Sequence, residues 1–423
     1  MAQTILLRTE NNMKYGCIGE HLKHSFSKEI HNVLADYEYE IKEIAKQNLD
    51  TFLVERKFKA INVTIPYKEA VIPHLSFIDE HAKLIGAVNT VVNKDGKLFG
   101  YNTDFYGMTE LIKHAGVTIK GKKVAILGTG GTSKTAFAVT NSMGAKEVIV
   151  VSRKKSDKTI DYNDLILLHK DVEVIINTTP CGMYPNNYSM PVDIDDFCNL
   201  EGVIDAVYNP LRTQLVSKAL KKGIKAEGGL YMLVAQAVKA CEIFTDTTLP
   251  LDALEKTFKK ILQDKENIVL VGMPASGKTT VGSIISTILD KPFIDTDVLV
   301  ESKGDKISEI FAKQGEKAFR DLETNAICEA GMQTRMVIAT GGGAILRQSN
   351  VDVLKQNGKL YFIDRPLKDL IPTDDRPLST TREAIEKRYN ERYDIYKSVC
   401  DYHVKVDGTA EQVAQKIIGE HTK

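Results

Sequence analysis

This chain of 423 residues lacks net charge: 56 Lys and Arg balance 56 Asp and Glu. No overall field draws it to nucleic acid or to an anionic membrane. No apolar run reaches the length of a membrane span. The start, Met1 to Arg8, lacks a basic segment followed by a long apolar one, so no secretory signal is expected. The six cysteines (Cys17, Cys181, Cys198, Cys241, Cys328, Cys400) form no Cys-x-x-Cys pair, which argues against zinc and against a disulfide framework. Reduced thiols in a cytoplasmic protein are the expectation. There is no internal repeat, coiled coil or low-complexity tail, and no Asn-Lys-x-Asp motif of the kind that reads guanine.

What the chain has is ordinary in amount, with 43% hydrophobic and 26% charged residues, and it is too long for one core. Apolar strand-like runs alternate with helical stretches: Ala60–Ile65, Lys123–Leu127, Glu147–Val151, Glu173–Asn177, Gly202–Asp205, Ile268–Val271, Met336–Ala339 and Leu360–Ile363. That alternation predicts an α/β protein whose parallel sheets are covered on both faces. A helical stretch, Leu251–Leu262, ends at a short polar joint near Gln263–Asn267. The expected domains are therefore 1–263 and 264–423. A second division near Asn102–Asp104 splits the first half into a substrate part (1–103 with about 239–263) and a dinucleotide part (104–238).

Two glycine loops follow buried-type strands. The first, Gly128-Thr-Gly130-Gly131-Thr-Ser133, has no lysine before its helix is under way, and suits a dinucleotide pyrophosphate at a helix N-terminus. About 20 residues on, the next strand ends in Arg153-Lys154-Lys155, where an NAD enzyme usually carries an acid. Cations there suit the 2′-phosphate of NADP; the alternative is a solvated basic loop. The second loop, Gly272-Met-Pro-Ala-Ser276-Gly277-Lys278-Thr279-Thr280, matches the triphosphate-binding pattern, with its lysine and its magnesium-binding hydroxyl. Upstream of the first loop lie Ser25 and Ser27, Thr64 and Lys68, Asn89, and Asn102-Thr103-Asp104. Singly these read as turn chemistry. Together they offer hydroxyls and amides for a polyol acid, with one Lys and one Asp for proton transfer. After the second loop come Asp295-Thr296-Asp297, Arg320, Gly341-Gly342-Gly343, Arg376, Arg388 and Arg392, which suit a carboxylated, hydroxylated small acceptor. Any one of these arginines alone would read as a surface ion pair.

The ordered runs His24-Ser-x-Ser27, Asn62-Val-Thr-Ile-Pro-x-Lys68, Gly86-Ala-Val-Asn89-Thr, Asn102-Thr-Asp104, Gly128-x-Gly-Gly-x-Ser133, Asn177-Thr-Thr-Pro-x-Gly-Met183 and Met232-Leu-Val-x-Gln236-Ala closely resemble the shikimate dehydrogenase family, over about residues 14–262. The resemblance implies an α/β substrate domain plus a Rossmann-like domain, and NADPH-dependent reduction of 3-dehydroshikimate. Ser25 and Ser27 would hold the substrate carboxylate. Thr64, Asn89 and Gln236 would bind ring hydroxyls near Tyr208, and Lys68 with Asp104 would be the acid–base pair. Gly128, Gly130, Gly131, Ser133, Arg153 and Lys154 would bind the cofactor. His21 and Lys28 stand where the family often has proline.

Residues 267–420 resemble shikimate kinase, which implies a P-loop domain around a parallel sheet. Gly272, Ser276, Gly277, Lys278, Thr279 and Thr280 would bind ATP, and Thr279 and Asp295 would hold Mg2+. Asp297 would bind the acceptor hydroxyl and act on its proton. Arg320, Arg392, Gly342 and Gly343 would grip shikimate, while Lys278 and Arg376 would act on the transferring phosphoryl group. The stretch from Asp364 to Arg376 is shorter than the family's usual lid approach, with Ile371-Pro372-Thr373 in place of a basic helix. The combined expectation is a bifunctional enzyme with small-molecule substrates and no nucleic-acid or membrane partner. The alternatives are a nucleotide-binding but non-catalytic kinase half, or an NAD-linked quinate/shikimate dehydrogenase.

Overall fold

The computed structural model describes residues 13–22, 26–372 and 381–423. The chain forms two compact units. Unit 1 comprises Met1–Gly182, Ser189–Tyr208 and Leu215–Ile261; unit 2 comprises Met183–Tyr188, Asn209–Gln214 and Leu262–Lys423. The division between Ile261 and Leu262 falls inside the helix Ala253–Lys265. The polar joint is thus the last turn of a helix and the first residue of a strand. Among the described residues no helix is long and apolar enough to cross a membrane.

Unit 1 has two sheets. The first contains β1 (Tyr15–Gly19), β2 (Tyr39–Glu43), β3 (Ala60–Val63), β4 (Phe77–Ile78), β5 (Thr90–Lys94) and β6 (Lys97–Tyr101), in the order β2-β1-β3-β5-β6-β4. It is mixed, where the sequence reading expected parallel pairing: β5 runs antiparallel to both β3 and β6. The β5–β6 pair is a hairpin turning at Asp95-Gly96, both at positive φ (51° and 77°), a turn whose twist matches the flanking strands. The Asp-Gly pair was legible as a hairpin signal. The hairpin matters for the site. Its register pairs Thr90 with Tyr101, which sets Asn89 beside Asn102–Asp104.

The second sheet contains β7 (Lys123–Leu127), β8 (Glu147–Val151), β9 (Val174–Asn177), β10 (Gly202–Asp205) and β11 (Lys225–Glu227), in the order β11-β10-β9-β7-β8. Its pairs are parallel, as continuous apolar strands require. The helix Leu230–Thr245 returns to the first sheet, where Ala240 and Phe244 join Tyr15, Cys17, Tyr39, Ala60 and Val92 in one core. It also crosses the helix Asp104–His114 at Gly107. A Cβ there would stand 2.8 Å from Met232 O and 3.2 Å from Gln236 Cβ. Glycine lets these helices touch backbone to side chain and brings Gln236 near Asp104.

Unit 2 is built on β12 (Asn267–Val271), β13 (Phe293–Asp295), β14 (Val337–Ala339), β15 (Gly358–Asp364) and β16 (Tyr402–Lys405), in the order β13-β14-β12-β15-β16 and parallel throughout. One core on each face, around Val269, Ile338 and Phe362 and around Leu270, Val337 and Ile363, covers it. Strand order reverses direction around β12, and ligands of such sheets bind at the carboxyl ends of the strands there. The two short upstream segments are integral to this unit. Asn187 and Gln356 exchange hydrogen bonds of 2.5 and 3.0 Å. Leu211 N donates to Asn357 Oδ1 at 2.9 Å, and Arg212 to Glu266 at 2.6 Å.

Candidate functional site

In unit 1, Lys68 Nζ lies 2.5 Å from Asp104 Oδ2. Asp104 opens the helix Asp104–His114, so its carboxylate faces the positive helix end. Its second oxygen accepts from Asn89 Nδ2 at 2.9 Å, and its own N–H is held by Asn102 Oδ1 at 3.0 Å. Asn102 Nδ2 in turn donates to Ala87 O at 2.8 Å. The Asn89 side-chain Oδ1 accepts from Thr103 N at 2.8 Å and Thr90 Oγ1 at 3.0 Å. Thr90 Oγ1 accepts from Asn62 Nδ2, and Asn62 Oδ1 from Tyr39, at 3.1 and 2.7 Å. The network fixes which way each amide points and leaves Lys68 partly exposed, at 23%.

Thr64 follows β3 and is half-buried, and Ser27 begins the helix Ser27–Leu34. Tyr208 is half-buried edge-on to Phe26, with 5.4 Å between ring centres, and burial raises its hydroxyl pKa. Gln236 sits one helix crossing away at Gly107. Ser25 lies outside the described residues.

The dinucleotide loop follows β7. Gly128 has φ of 110°, and a Cβ would stand 2.8 Å from Thr178 Oγ1, so only glycine fits there. Gly130 and Gly131 face open space and begin the helix Gly131–Ser142. That cradle fits a pyrophosphate at a helix N-terminus. Ser133 is buried and donates to Gly128 O at 2.7 Å, so its hydroxyl braces the loop rather than facing a ligand. At the tip of β8, Arg153 and Lys154 are exposed, as a 2′-phosphate site requires. Lys155 is not available in the same way: Asp164 holds it at 2.5 Å.

In unit 2, Gly272 directly follows β12 and Gly277, at φ of 95°, caps the helix Lys278–Leu289. Lys278 is buried inside the loop, 2.9 Å from Gly272 O and 2.8 Å from Met273 O. Thr279 Oγ1 donates to Asp295 Oδ2 at 2.7 Å, and Asp295 Oδ1 accepts from Asp297 N at 3.0 Å. A hydroxyl and one carboxylate side by side suit Mg2+, which keeps most of its water and takes few protein ligands. Among the described residues no three His, Cys, Asp or Glu side chains gather as an all-protein metal site.

A cavity of about 510 Å³ opens from this end of the loop, lined among others by Thr279, Asp295, Asp297, Arg320, Gly343 and Arg392. Arg320 lies on the helix Ile307–Gly331 beyond its break at Gly315 (φ of 80°). It is bonded to Glu323 at 2.7 Å and Glu316 at 3.0 Å. Burial acts to lower its pKa, but the two carboxylates outweigh burial and raise it. Burial raises the pKa of Glu323, against the pull of Arg320. Arg392 donates to Gly342 O at 2.9 Å; burial lowers its pKa, as do Arg320 and Arg388. The three glycines leave room for the groups around them. A Cβ on Gly341 would stand 2.5 Å from Glu323 Oε1 and 2.6 Å from Asp297 Oδ1, on Gly342 2.7 Å from Pro274, and on Gly343 within the Arg320 guanidinium.

The structure thus brings Asp295, Asp297, Arg320, Gly342, Gly343 and Arg392 to one cavity at the triphosphate loop. Arg376 lies outside the described residues. Tyr396 received no role from the sequence; its hydroxyl is bonded to Gly272 O at 2.9 Å and Gly342 O at 2.6 Å. Its position four residues after Arg392 was the available signal, since i and i+4 share a helix face.

A family model described as shikimate dehydrogenase substrate binding domain matches residues 17–91, and one described as shikimate kinase matches residues 274–422. Among curated relatives, a shikimate dehydrogenase (NADP(+)) of Clostridium perfringens is 39% identical over 264 residues, covering 58% of this chain and 97% of that protein. Among solved structures, shikimate dehydrogenase 1 from Peptoclostridium difficile aligns with a TM-score of 0.54 at 37% identity, covering 59% of this chain and 97% of that one. A chorismate mutase/shikimate 5-dehydrogenase fusion protein from Clostridium acetobutylicum aligns with a TM-score of 0.56 at 35% identity, with coverage of 59% and 97%.

Proposed function

The chain belongs to the shikimate dehydrogenase family and carries a shikimate kinase domain after it, and from that premise we propose that it catalyses two consecutive steps. It reduces 3-dehydroshikimate with NADPH, then phosphorylates the resulting shikimate with ATP. NADP use is supported by the name of the Clostridium perfringens relative and by the exposed Arg153 and Lys154.

In the first step the bound cofactor supplies a hydride to the substrate carbonyl carbon. As the carbonyl oxygen gains negative charge, the Lys68 ammonium delivers a proton to it, and Asp104 holds that ammonium in place. Carbonyl, NADPH and one proton become alcohol and NADP+. Asn89 fixes the far oxygen of Asp104, so the carboxylate keeps its face toward Lys68. Ser25, Ser27, Thr64, Tyr208 and Gln236 bind the carboxylate and hydroxyls of the substrate.

In the second step Asp297 accepts the proton of the shikimate hydroxyl as that oxygen attacks the γ-phosphorus of ATP and ADP leaves. Arg320 and Arg392 hold the shikimate carboxylate through charge-assisted bonds. Lys278 meets the β/γ-phosphates, and Arg376 takes the role that the family resemblance implies, acting on the transferring group. Thr279 and Asp295 would hold Mg2+, which would neutralise phosphate charge.

The observation that carries this reading is the cavity in which Asp297, Arg320 and Arg392 share one wall system with the triphosphate loop. A loop that only bound nucleotide would not need an acceptor pocket. The test supplies the purified chain with 3-dehydroshikimate, NADPH, ATP and magnesium. The expected result is ADP formation that depends on NADPH oxidation. NADPH oxidation without ADP formation, also when shikimate is added directly, would establish the non-catalytic kinase alternative.

A further inference from the structure

We infer that Arg365 is a nucleotide-binding residue whose guanidinium meets the α/β-phosphate part of the nucleotide held by the second loop. The inference rests on the kinase reading and adds a residue to it.

Arg365 directly follows the end of β15, on the strand next to the one that carries the loop. Its Nε donates to Ser276 O at 3.3 Å. Its Nη2 lies 3.5 Å from the place a Cβ on Gly277 would occupy. In a loop of this pattern the backbone N–H groups cradle the α/β-phosphates and the lysine reaches the β/γ-phosphates. Lys278 Nζ accordingly lies inside the loop, at Gly272 O and Met273 O. Arg365 stands at the other end, where the loop becomes a helix.

Among the described residues no carboxylate pairs with Arg365. The adjacent acid, Asp364, accepts from Tyr393 OH at 3.1 Å and faces His403 Nε2 at 2.7 Å. With Nε tied to a backbone carbonyl, the two Nη groups remain as a fork for phosphate oxygens. That tie also restrains the half-buried side chain before any ligand arrives, which lowers the ordering cost of binding. The following stretch, Leu367–Pro372, offers only Lys368 as a cation, and it is exposed. Arg365 itself reaches the loop, through Ser276 O.

The test is titration of the full chain with Mg-ADP, comparing wild type with Arg365→Gln across a range of salt concentrations. The variant should bind ADP about tenfold more weakly, as loss of a charge-assisted phosphate contact implies. Its affinity should also depend less on salt, because one screened charge pair is gone. The KM for shikimate and the dehydrogenase kinetics should stay within twofold of wild type. Unchanged ADP affinity overturns the inference. So does weaker affinity with the wild-type salt dependence, which would mean that Arg365 only braces Ser276. Should Arg365→Gln fail to fold, Arg365→Lys keeps the charge without the fork; a loss of about threefold is expected, and no loss overturns the inference. Lys278→Ala separates this idea from its premise. If wild type binds no Mg-ADP, the kinase reading itself falls. If wild type binds and Lys278→Ala does not, an unaffected Arg365 variant refutes the Arg365 assignment alone.

Discussion

Lys68 Nζ and Asp104 Oδ2 stand 2.5 Å apart, and the other oxygen of that carboxylate is taken by Asn89. The ammonium is therefore aimed by a group that is itself aimed. Asp104 is almost fully buried. Removing Lys68 leaves that carboxylate with an amide and a helix end but no cation, and removing Asp104 frees the ammonium to swing.

Either change should be felt in turnover first. Lys68→Ala and Asp104→Asn should each lower dehydrogenase kcat by about 10²–10⁴-fold, the usual worth of a placed acid or base. Kinase activity, assayed with added shikimate, should be unchanged. A loss of only a few-fold in both variants would remove the pair from the mechanism.

Cofactor choice should follow the β8 tip. Arg153→Asp should weaken NADPH binding far more than NADH binding, because it replaces a phosphate partner with a like charge. Fluorescence titration of both cofactors checks this. Equal use of NADPH and NADH by wild type would favour the NAD-linked alternative.

Two arginines in unit 2 are expected to read the same substrate group. Arg320→Ala and Arg392→Ala should raise the KM for shikimate by about tenfold or more and leave that for ATP nearly unchanged. Arg320→Ala should also cost stability, since it strands the buried Glu323 (1% exposed) without its cation. An effect confined to ATP would show that these side chains face the nucleotide.

Acid should unfold unit 1 through His31. Its ring is fully buried, stacked 4.0 Å from Tyr39, and burial pushes its pKa down to about 3 from 6.5. Above pH 6.5 the imidazole is neutral in both states. As pH falls from 6.5 toward 3, the unfolded chain takes up a proton that the folded one refuses, so stability is lost across that window. The full loss is on the order of 5 kcal/mol at about 1.4 kcal/mol per pH unit. Urea midpoints for loss of dehydrogenase activity, measured from pH 7 to 4, should fall more steeply for wild type than for His31→Gln. Parallel slopes would clear His31 of the effect.

Unit 2 should suffer when the chain is cut at residue 263. A fragment 264–423 lacks Asn187 and Leu211, the partners of Gln356 and Asn357, which are both 0% exposed. Each buried polar group left without a partner costs about 1–3 kcal/mol. The fragment should lose kinase activity at lower urea concentration than the intact chain. Equal midpoints would show that these contacts contribute little.

Much of this protein is written in short range. The β7 and β12 loops are legible because a glycine at positive φ, a helix start and a phosphate impose their spacing on neighbouring residues. Lys68, Asp104, Asp297 and Arg392 could be named because each stands in a compact pattern that matches a known family. Other features depend on residues far apart in the chain. Hydrogen bonding across the Asp95-Gly96 hairpin, rather than any single motif, turns Asn89 toward Asp104. Lys155 looked like a third cation until folding put Asp164 beside it. Arg365 stands in no motif of the sequence; the parallel pairing of β15 with β12 sets it on the glycine loop. The membership of Asn187 and Leu211 in unit 2 follows from buried amides more than a hundred residues away. Local patterns determine which chemistry a segment can offer. Which groups meet, and which charges are already matched, is decided by packing between segments, because contact energy depends on distance in space and not on distance along the chain.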